Sequence, residues 1–160
     1  MPCLSLLLSL LVSPVSASCL QEARGDFTIE GDHVTDRKSG LTWKRCALGM
    51  QWNAQSQQCT GLPAAFNQNE AKQAAQALGD QWRLPSGAEL ETLLMETCSG
   101  HQIDPNAFPN ISASDEGEGA KFWTSTPAMA GMFYYFDLLN GYADMHSSGF
   151  SLSVLPVKGG

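Results

Sequence analysis

The sequence predicts an α+β domain in which an antiparallel sheet is flanked by two helices. Three observations predict it: apolar alternation around a turn near the start, two capped helix beginnings in the middle, and aromatic-rich runs near the end. Strands that are separated from further strands by a block of helices are typical of the α+β class. A chain of 160 residues is long enough for one such domain with a hydrophobic core.

The strands are predicted from short apolar runs between turn residues. Residues 27–34 alternate around a Glu-Gly-Asp turn and predict a hairpin, and residues 41–46 predict a further strand. Residues 49–63 are rich in Gln, Asn and Gly and are predicted to form a loop. Later strands are predicted at residues 122–125, 132–138, 142–145 and 150–157, with Asn140-Gly141 as a hairpin turn.

Both helices are predicted from an N-cap residue that is followed three positions later by glutamate. Asn67 with Glu70 begins the first helix, which has an alanine-rich apolar face and ends at Gly79. Ser86 with Glu89 begins the second helix. The apolar face of the second helix is predicted to bury Leu90, Leu93, Leu94 and Cys98.

Residues 1–17 are predicted to be a cleavable secretory signal peptide, because a Leu-rich run is followed by small residues ending at Ala17. The run is too short to span a membrane, which takes roughly 20 apolar residues as helix. Residues 18–160 are then one exported domain, periplasmic, cell-surface or secreted. Lipidation at Cys19 is the alternative, but it favours a larger aliphatic residue at the position of Ser16.

The cysteines predict two disulfides. Cys3 leaves with the signal peptide, and an even number remains in the exported domain: Cys19, Cys46, Cys59 and Cys98. Four cysteines allow three pairings, and the residues alone leave the choice open. No Cys-x-x-Cys pair or Cys/His cluster has the spacing of a zinc site.

Charge argues against several classes of partner. The formal net charge is −7 and the pI is about 4.7. An acidic surface repels polyanions, so nucleic acid, anionic membrane and sulfated polysaccharide are not expected partners. No apolar stretch beyond the signal peptide is long enough to cross a membrane.

Four motifs occur in a fixed order along the chain: VTDRKSGLTWKRC at residues 34–46, CTG at 59–61, WRLP at 82–85 and FWTST at 122–126. As a set they resemble the C-terminal domain of the Legionella collagen-like adhesin, a bacterial family of otherwise unknown function. The resemblance runs from about residue 27 to the C-terminus. It implies a C-type-lectin-like fold and an exported protein that binds glycans or a protein surface.

The same resemblance implies which cysteines pair, because the family places cysteines at these positions. It favours Cys46 with Cys59, and Cys19 with Cys98. The Trp-Arg-Leu-Pro motif lies between the two predicted helices, so it is predicted to have a structural role in which Arg83 bonds loop carbonyls or a carboxylate, with a ligand platform as the alternative.

Aromatic side chains form the predicted ligand site. Residues 133–136 are aromatic and alternate across a strand, so two rings are predicted to face the core and two to face outward. Sugars and peptides stack on exposed aromatic faces. The predicted platform draws on Trp123, Tyr134, Tyr135, Tyr142 and, in the disulfide-closed loop, Trp52. Ordinary packing within the sheet is the alternative.

No cofactor is predicted, with calcium as the alternative. Asp115, Glu116 and Glu118 can supply oxygen ligands to calcium, or can form a solvated acidic loop. Asp137 and Asp144 are further acidic candidates.

No enzyme is predicted, because nucleophilic catalysis needs a Ser or Cys with a positioned base. His33, His101 and His146 are scattered, and no Gly-x-Ser-x-Gly elbow occurs. The sequence therefore predicts a non-catalytic, adhesin-like binding module for a glycan or protein surface. The alternative is a structural or assembly component of a bacterial surface complex that has no small ligand.

Overall fold

The computed structural model describes residues 24–97, 100–111 and 120–159. The predicted signal peptide, the Cys19–Cys98 pair and the acidic residues 115, 116 and 118 lie outside the described residues. The elements are β1 (Phe27–Glu30), β2 (His33–Asp36), β3 (Thr42–Lys44), β4 (Gln51–Asn53), β5 (Gln58–Thr60), α1 (Gln68–Gln76), α2 (Gly87–Glu91), β6 (Met95–Thr97), β7 (Gly100–Gln102), β8 (Lys121–Met129), β9 (Met132–Asp137), β10 (Tyr142–Ser147) and β11 (Val157–Lys158). The predicted α+β class is confirmed.

The predicted hairpin at the start belongs to a four-stranded antiparallel sheet in the order β1-β2-β3-β11. Gly31 has φ of 58° in the turn between β1 and β2, a left-handed conformation that costs glycine little. Val34, Trp43 and Val157 lie side by side across three strands, and all are fully buried. This row is the core-facing side of the sheet.

A separate three-stranded antiparallel sheet has the order β10-β9-β8. The predicted Asn140-Gly141 turn joins β9 to β10, with Gly141 at φ of 69°. The buried Asp137 carboxylate organises this turn by accepting hydrogen bonds from the backbone N–H groups of Ala120, Leu139 and Asn140. Burial raises the pKa of Asp137, but these hydrogen bonds outweigh it and hold the pKa below the usual value.

Both faces of the three-stranded sheet are covered, which corrects the prediction that two of the four aromatic rings in β9 face outward. Phe122 and Phe136 pack into the main core with the four-stranded sheet and α2. Trp123 and Tyr135 pack into a second cluster with the alanine face of α1. The alternation along the strand is as expected, but a helix lies on each side.

Capping boxes begin both helices, as predicted. The Asn67 side chain accepts from the Glu70 N–H while the Glu70 carboxylate accepts from the Asn67 N–H, and Ser86 and Glu89 form the same reciprocal pair. The second helix is shorter than predicted, because it ends at Glu91. Leu93 is nevertheless buried in the main core, from the turn that follows the helix.

The prediction of a loop at residues 49–63 was wrong, because this segment contains the β4–β5 hairpin. Trp52 and Cys59 are paired across it. The predicted Cys46–Cys59 disulfide is confirmed, with a Cα–Cα distance of 5.6 Å. The Asn110 carboxamide holds β5 from the other side, since it donates to the Cys59 carbonyl and accepts from the Cys59 N–H.

The prediction of a strand over residues 150–157 was also wrong, because only Val157–Lys158 forms one, β11. The preceding segment runs between the two sheets and makes single bridges instead of a ladder. Leu152 bridges to Phe66, and Ser153 bridges to Phe122 in parallel. Residues 152–157 are all buried, so this apolar run is a core segment.

Candidate functional site

The Trp-Arg-Leu-Pro motif has a structural role in this fold. The Arg83 guanidinium donates to both oxygens of the Glu89 carboxylate, at 2.9 and 2.6 Å, and to the Gly159 carbonyl. Hydrogen bonds from Arg83 lower the pKa of Glu89 to about 2, against the opposing effect of burial. The motif therefore fixes the cap of α2, which forms one wall of the cleft described below.

This ion pair predicts a specific loss of stability in acid. Because the Glu89 pKa is lower in the folded protein than its usual 4.5, the stabilisation is complete above that pH and disappears as the pH falls toward about 2. Arg83 is 38% exposed, so solvent screening limits the contribution to about 1–2 kcal/mol. We expect urea unfolding at pH 7 and pH 2.5 to show that the free energy of unfolding falls less between these pH values in Glu89→Gln than in the wild type.

The variant Arg83→Gln should reduce the acid loss by a similar amount, since it removes the other half of the pair. If the free energy of unfolding falls equally in the wild type and in Glu89→Gln between pH 7 and pH 2.5, the ion pair does not cause the acid loss.

Two depressions flank the three-stranded sheet, one on each face. The first, here named the aromatic cleft, has a volume of about 560 Å³ and lies between α2 and the sheet, lined by residues that include Ala88, Glu91, Thr126, Tyr134 and Phe136. The second, here named the amide groove, has a volume of about 480 Å³ and lies against α1, lined by residues that include Gln68, Asn69, Lys72, Gln76, Ser125 and Phe133. Ser125 and Thr126 are neighbours in β8 and line opposite sides of the sheet, as strand alternation requires.

The aromatic cleft is held in shape by contacts between α2 and β8. The Gly87 N–H donates to the Thr126 hydroxyl at 2.9 Å, which fixes the first turn of the helix against the strand. Phe136 is 8% exposed and forms the apolar base, while Tyr134 is half-buried. The Glu91 carboxylate is exposed and supplies a hydrogen-bond acceptor.

The predicted tyrosine platform is divided between the two faces of the sheet. Tyr134 faces the aromatic cleft with Phe136. Tyr135 and Tyr142 contact each other edge to face, with ring centroids 6.5 Å apart, and Asp144 pairs with Tyr135 in the register. Tyr142 borders the cleft, but the strand register puts its ring on the face of Tyr135. Burial, together with Tyr142 and Asp144, raises the pKa of Tyr135 to about 12.

Trp123 does not belong to an exposed platform, which corrects that part of the prediction. Its side chain is fully buried in the cluster beneath α1, and its indole N–H donates to the Phe66 carbonyl at 2.8 Å. Tyr135 is only 7% exposed and is buried in the same cluster. The physical reason is the alanine face of α1, which packs closely on this side of the sheet.

Trp52 packs on the disulfide-closed hairpin. The Arg45 guanidinium lies 3.9 Å from its ring centroid. Trp52 is half-buried, and its indole nitrogen is buried without an acceptor among the described residues. Trp52 lines a depression of about 160 Å³ with Met50 and Leu48, which is smaller than the aromatic cleft and the amide groove.

His33 and His146 are not among the described lining residues of either depression. His33 contacts Asp32 and Glu30 at the first hairpin, and His146 stacks on Phe150 with ring centroids 3.7 Å apart. Within residues 24–97, 100–111 and 120–159, no group of His, Cys, Asp or Glu is arranged to hold a metal ion. In that same part of the chain, no helix is long and apolar enough to cross a membrane.

The polar side chains of the amide groove were not predicted from the sequence. Asn69, Lys72 and Gln76 are spaced at i, i+3 and i+7 and form one exposed stripe of α1. An ordinary solvated helix face has the same pattern of polar residues. The sequence therefore does not distinguish a ligand-binding stripe from a solvated one. The groove exists because Phe133 and Ser125 of the sheet lie beside the stripe.

The model of the Lcl C-terminal domain matches residues 32–158, which is most of the chain. No curated protein matches the sequence.

Proposed function

The chain belongs to the Lcl C-terminal domain family, and on that premise we propose that it is an exported, non-catalytic binding domain that holds a neutral saccharide in the aromatic cleft. The family is that of an adhesin domain, and the Cys46–Cys59 disulfide is consistent with an exported protein. The observation that carries the proposal is the half-buried Tyr134 ring, which lines a cleft of about 560 Å³ together with the exposed Glu91 carboxylate.

The composition of the cleft supports a saccharide. A pyranose ring has an apolar C–H face, which stacks on an aromatic ring, and a rim of hydroxyls, which hydrogen-bond to polar side chains. Tyr134 and Phe136 offer the aromatic surface, and Glu91 and Thr126 offer an acceptor and a hydroxyl. The volume is in the range of small-ligand sites, roughly 300–1,000 Å³.

Charge supports a neutral sugar over an anionic one. Among the described residues that line the cleft, Glu91 is the only one with a charged side chain. The chain as a whole has a formal net charge of −7. A sulfate or carboxylate placed beside Glu91 would meet like charge without a compensating cation from the described lining.

The proposal predicts different effects for two tyrosines that the sequence grouped together. We expect Tyr134→Ala to weaken binding of the best ligand from a neutral-saccharide array by about tenfold or more, because a stacking surface is lost. Tyr142→Ala is the matched control and should stay within about threefold, because its ring lies on the other face. Isothermal titration calorimetry on the oxidised protein measures both.

Equal losses in the two tyrosine variants would contradict placement of the ligand in the aromatic cleft. Arrays that stay blank with folded protein would contradict the saccharide itself.

A second candidate is the assembly role, and exposed apolar side chains at one end of the three-stranded sheet favour it. Met129 and Phe150 are 56% and 45% exposed, and both lie near the end of the sheet where β8 turns into β9. A partner protein would bury these side chains. Blank saccharide arrays together with a stable heterocomplex that is lost in Phe150→Ser would favour assembly.

A further inference from the structure

The amide groove lies on the face of the three-stranded sheet opposite the aromatic cleft, and the proposed function does not use it. Helix α1 forms one wall, and Ser125 and Phe133 belong to the other. Its volume of about 480 Å³ is also in the range of small-ligand sites.

Lys72 makes the groove positive. Its side chain is exposed on α1, and no described residue forms a hydrogen bond or ion pair with it. The other cation in the lining, Arg83, is already neutralised by Glu89. No Asp or Glu occurs in the part of the lining that the structure describes. The groove therefore favours an anion, although the protein as a whole has a net charge of −7. An ammonium forms strong charge-assisted hydrogen bonds with a carboxylate.

The other polar groups of the groove both donate and accept hydrogen bonds. The exposed carboxamides of Asn69 and Gln76 lie on the same stripe of α1 as Lys72. A carboxamide has the same donor and acceptor groups as a peptide bond, so it can pair with a ligand amide on both sides. Gln68 is committed to the fold, since it donates to the Thr124 carbonyl.

The sheet side of the groove is apolar. Phe133 is half-buried and packs against the second core cluster, and Leu84 is 3% exposed. A ligand that spans the groove would therefore place an apolar group on Phe133 and charged and polar groups along α1.

We propose that the amide groove binds a small peptide-like carboxylate, meaning a molecule that has a free carboxylate, at least one amide bond and an apolar side chain. The carboxylate pairs with the Lys72 ammonium. The amide bond hydrogen-bonds to the side chains of Asn69 and Gln76, and the apolar group packs on Phe133. This site is independent of the saccharide proposal, because the two depressions open on opposite faces of the sheet.

The test is calorimetric titration of the oxidised protein with N-acetylated Ala-Phe that has a free C-terminal carboxylate. We expect Lys72→Met to weaken binding by about tenfold, the effect of losing one charge-assisted hydrogen bond, and Lys72→Arg to retain it within about threefold. Lys38→Met is the matched control, since it removes the same charge from an exposed turn outside the groove. The C-terminally amidated dipeptide should bind the wild type about tenfold more weakly.

Several results would overturn the proposal: no binding of the dipeptide at millimolar concentration, equal binding of its amidated form, or equal losses in Lys72→Met and Lys38→Met. Tighter binding of galacturonate than of the dipeptide would replace the peptide-like class by a sugar acid. Tyr134→Ala should leave dipeptide binding unchanged, so failure of the saccharide proposal and failure of this one are distinguishable. A thermal melt of each variant checks that it is folded.

Discussion

Replacement of Arg45 by alanine is expected to lower the free energy of unfolding by about 4 kcal/mol. The Arg45 side chain is 3% exposed and donates to the backbone carbonyls of Ala107, Gly31 and Asn106, at 2.9, 2.9 and 2.7 Å. Gly31 lies in the turn between β1 and β2, and Asn106 and Ala107 are neighbours in the segment after β7, so Arg45 joins two segments that are far apart in the sequence. Truncation would leave the buried Ala107 carbonyl without this donor, which costs roughly 1–3 kcal/mol, and would also remove the partly buried hydrogen bonds to Gly31 and Asn106.

Two further contacts make Arg45 a central part of the disulfide-bonded region. Its guanidinium stacks on Trp52, a cation–π contact worth roughly 0.5–2 kcal/mol, and the neighbouring Cys46 is bonded to Cys59. Burial lowers the pKa of Arg45 from its ordinary value. The guanidinium stays charged in proteins, so the carbonyl oxygens replace the water that it has lost.

Urea unfolding at pH 7 measures the change in the free energy of unfolding, and two further variants serve as controls. Arg37→Ala removes a guanidinium that is 61% exposed and that bonds Thr28 and Asp26 at the surface, so the change should be within about 0.5 kcal/mol. Arg45→Lys keeps the charge but cannot reproduce the planar fork, so its loss should lie between the two. A loss below about 1 kcal/mol in Arg45→Ala would contradict this account.

Local signals in the sequence predicted the parts of the fold that depend on local interactions. The capping boxes at Asn67 and Ser86 are reciprocal hydrogen bonds within four residues, and both occur in the structure. The Asn140-Gly141 turn is also local, since it needs only residues that tolerate positive φ and a carboxylate nearby to bind the free N–H groups.

The elements that were not predicted depend on distant contacts. Strands β4 and β5 are polar and short, and their hairpin is held by the disulfide and by Asn110, which is about 50 residues away in the chain. The apolar run at residues 150–157 has the composition of a strand, but it makes single bridges to Phe66, which precedes α1, and to Phe122 of β8. Because these contacts join residues that are distant in the sequence, the local sequence of either segment does not predict them.

The candidate site was predicted in part for the same reason. Strand alternation shows that Tyr134 and Tyr135 lie on opposite faces, but it does not show which face a helix covers. The family resemblance fixed the class of domain and one disulfide, and it did not distinguish exposed rings from buried ones. The amide groove required knowledge that α1 packs beside β8 and β9.

Replacement of Trp123 by alanine is the second large effect, and it separates a core residue from a ligand platform. The side chain is fully buried, and truncation of a buried Trp costs roughly 3–5 kcal/mol through lost burial and the cavity that remains. The hydrogen bond from its indole N–H to the Phe66 carbonyl is lost as well. We expect urea unfolding to show that the free energy of unfolding falls by about 4 kcal/mol. Any loss of ligand binding in this variant is then expected to result from unfolding.

Trp123→Phe keeps the test informative if the alanine variant does not fold. It retains an aromatic ring in the cluster with Ala71, Ala75 and Leu152, so the loss should be about 1–2 kcal/mol. Because the folded fraction then stays near one, ligand affinity at 25 °C should equal that of the wild type. If Trp123→Phe is as stable as the wild type but binds ligand more weakly, Trp123 contacts the ligand and the division between a buried Trp123 and an accessible Tyr134 is wrong.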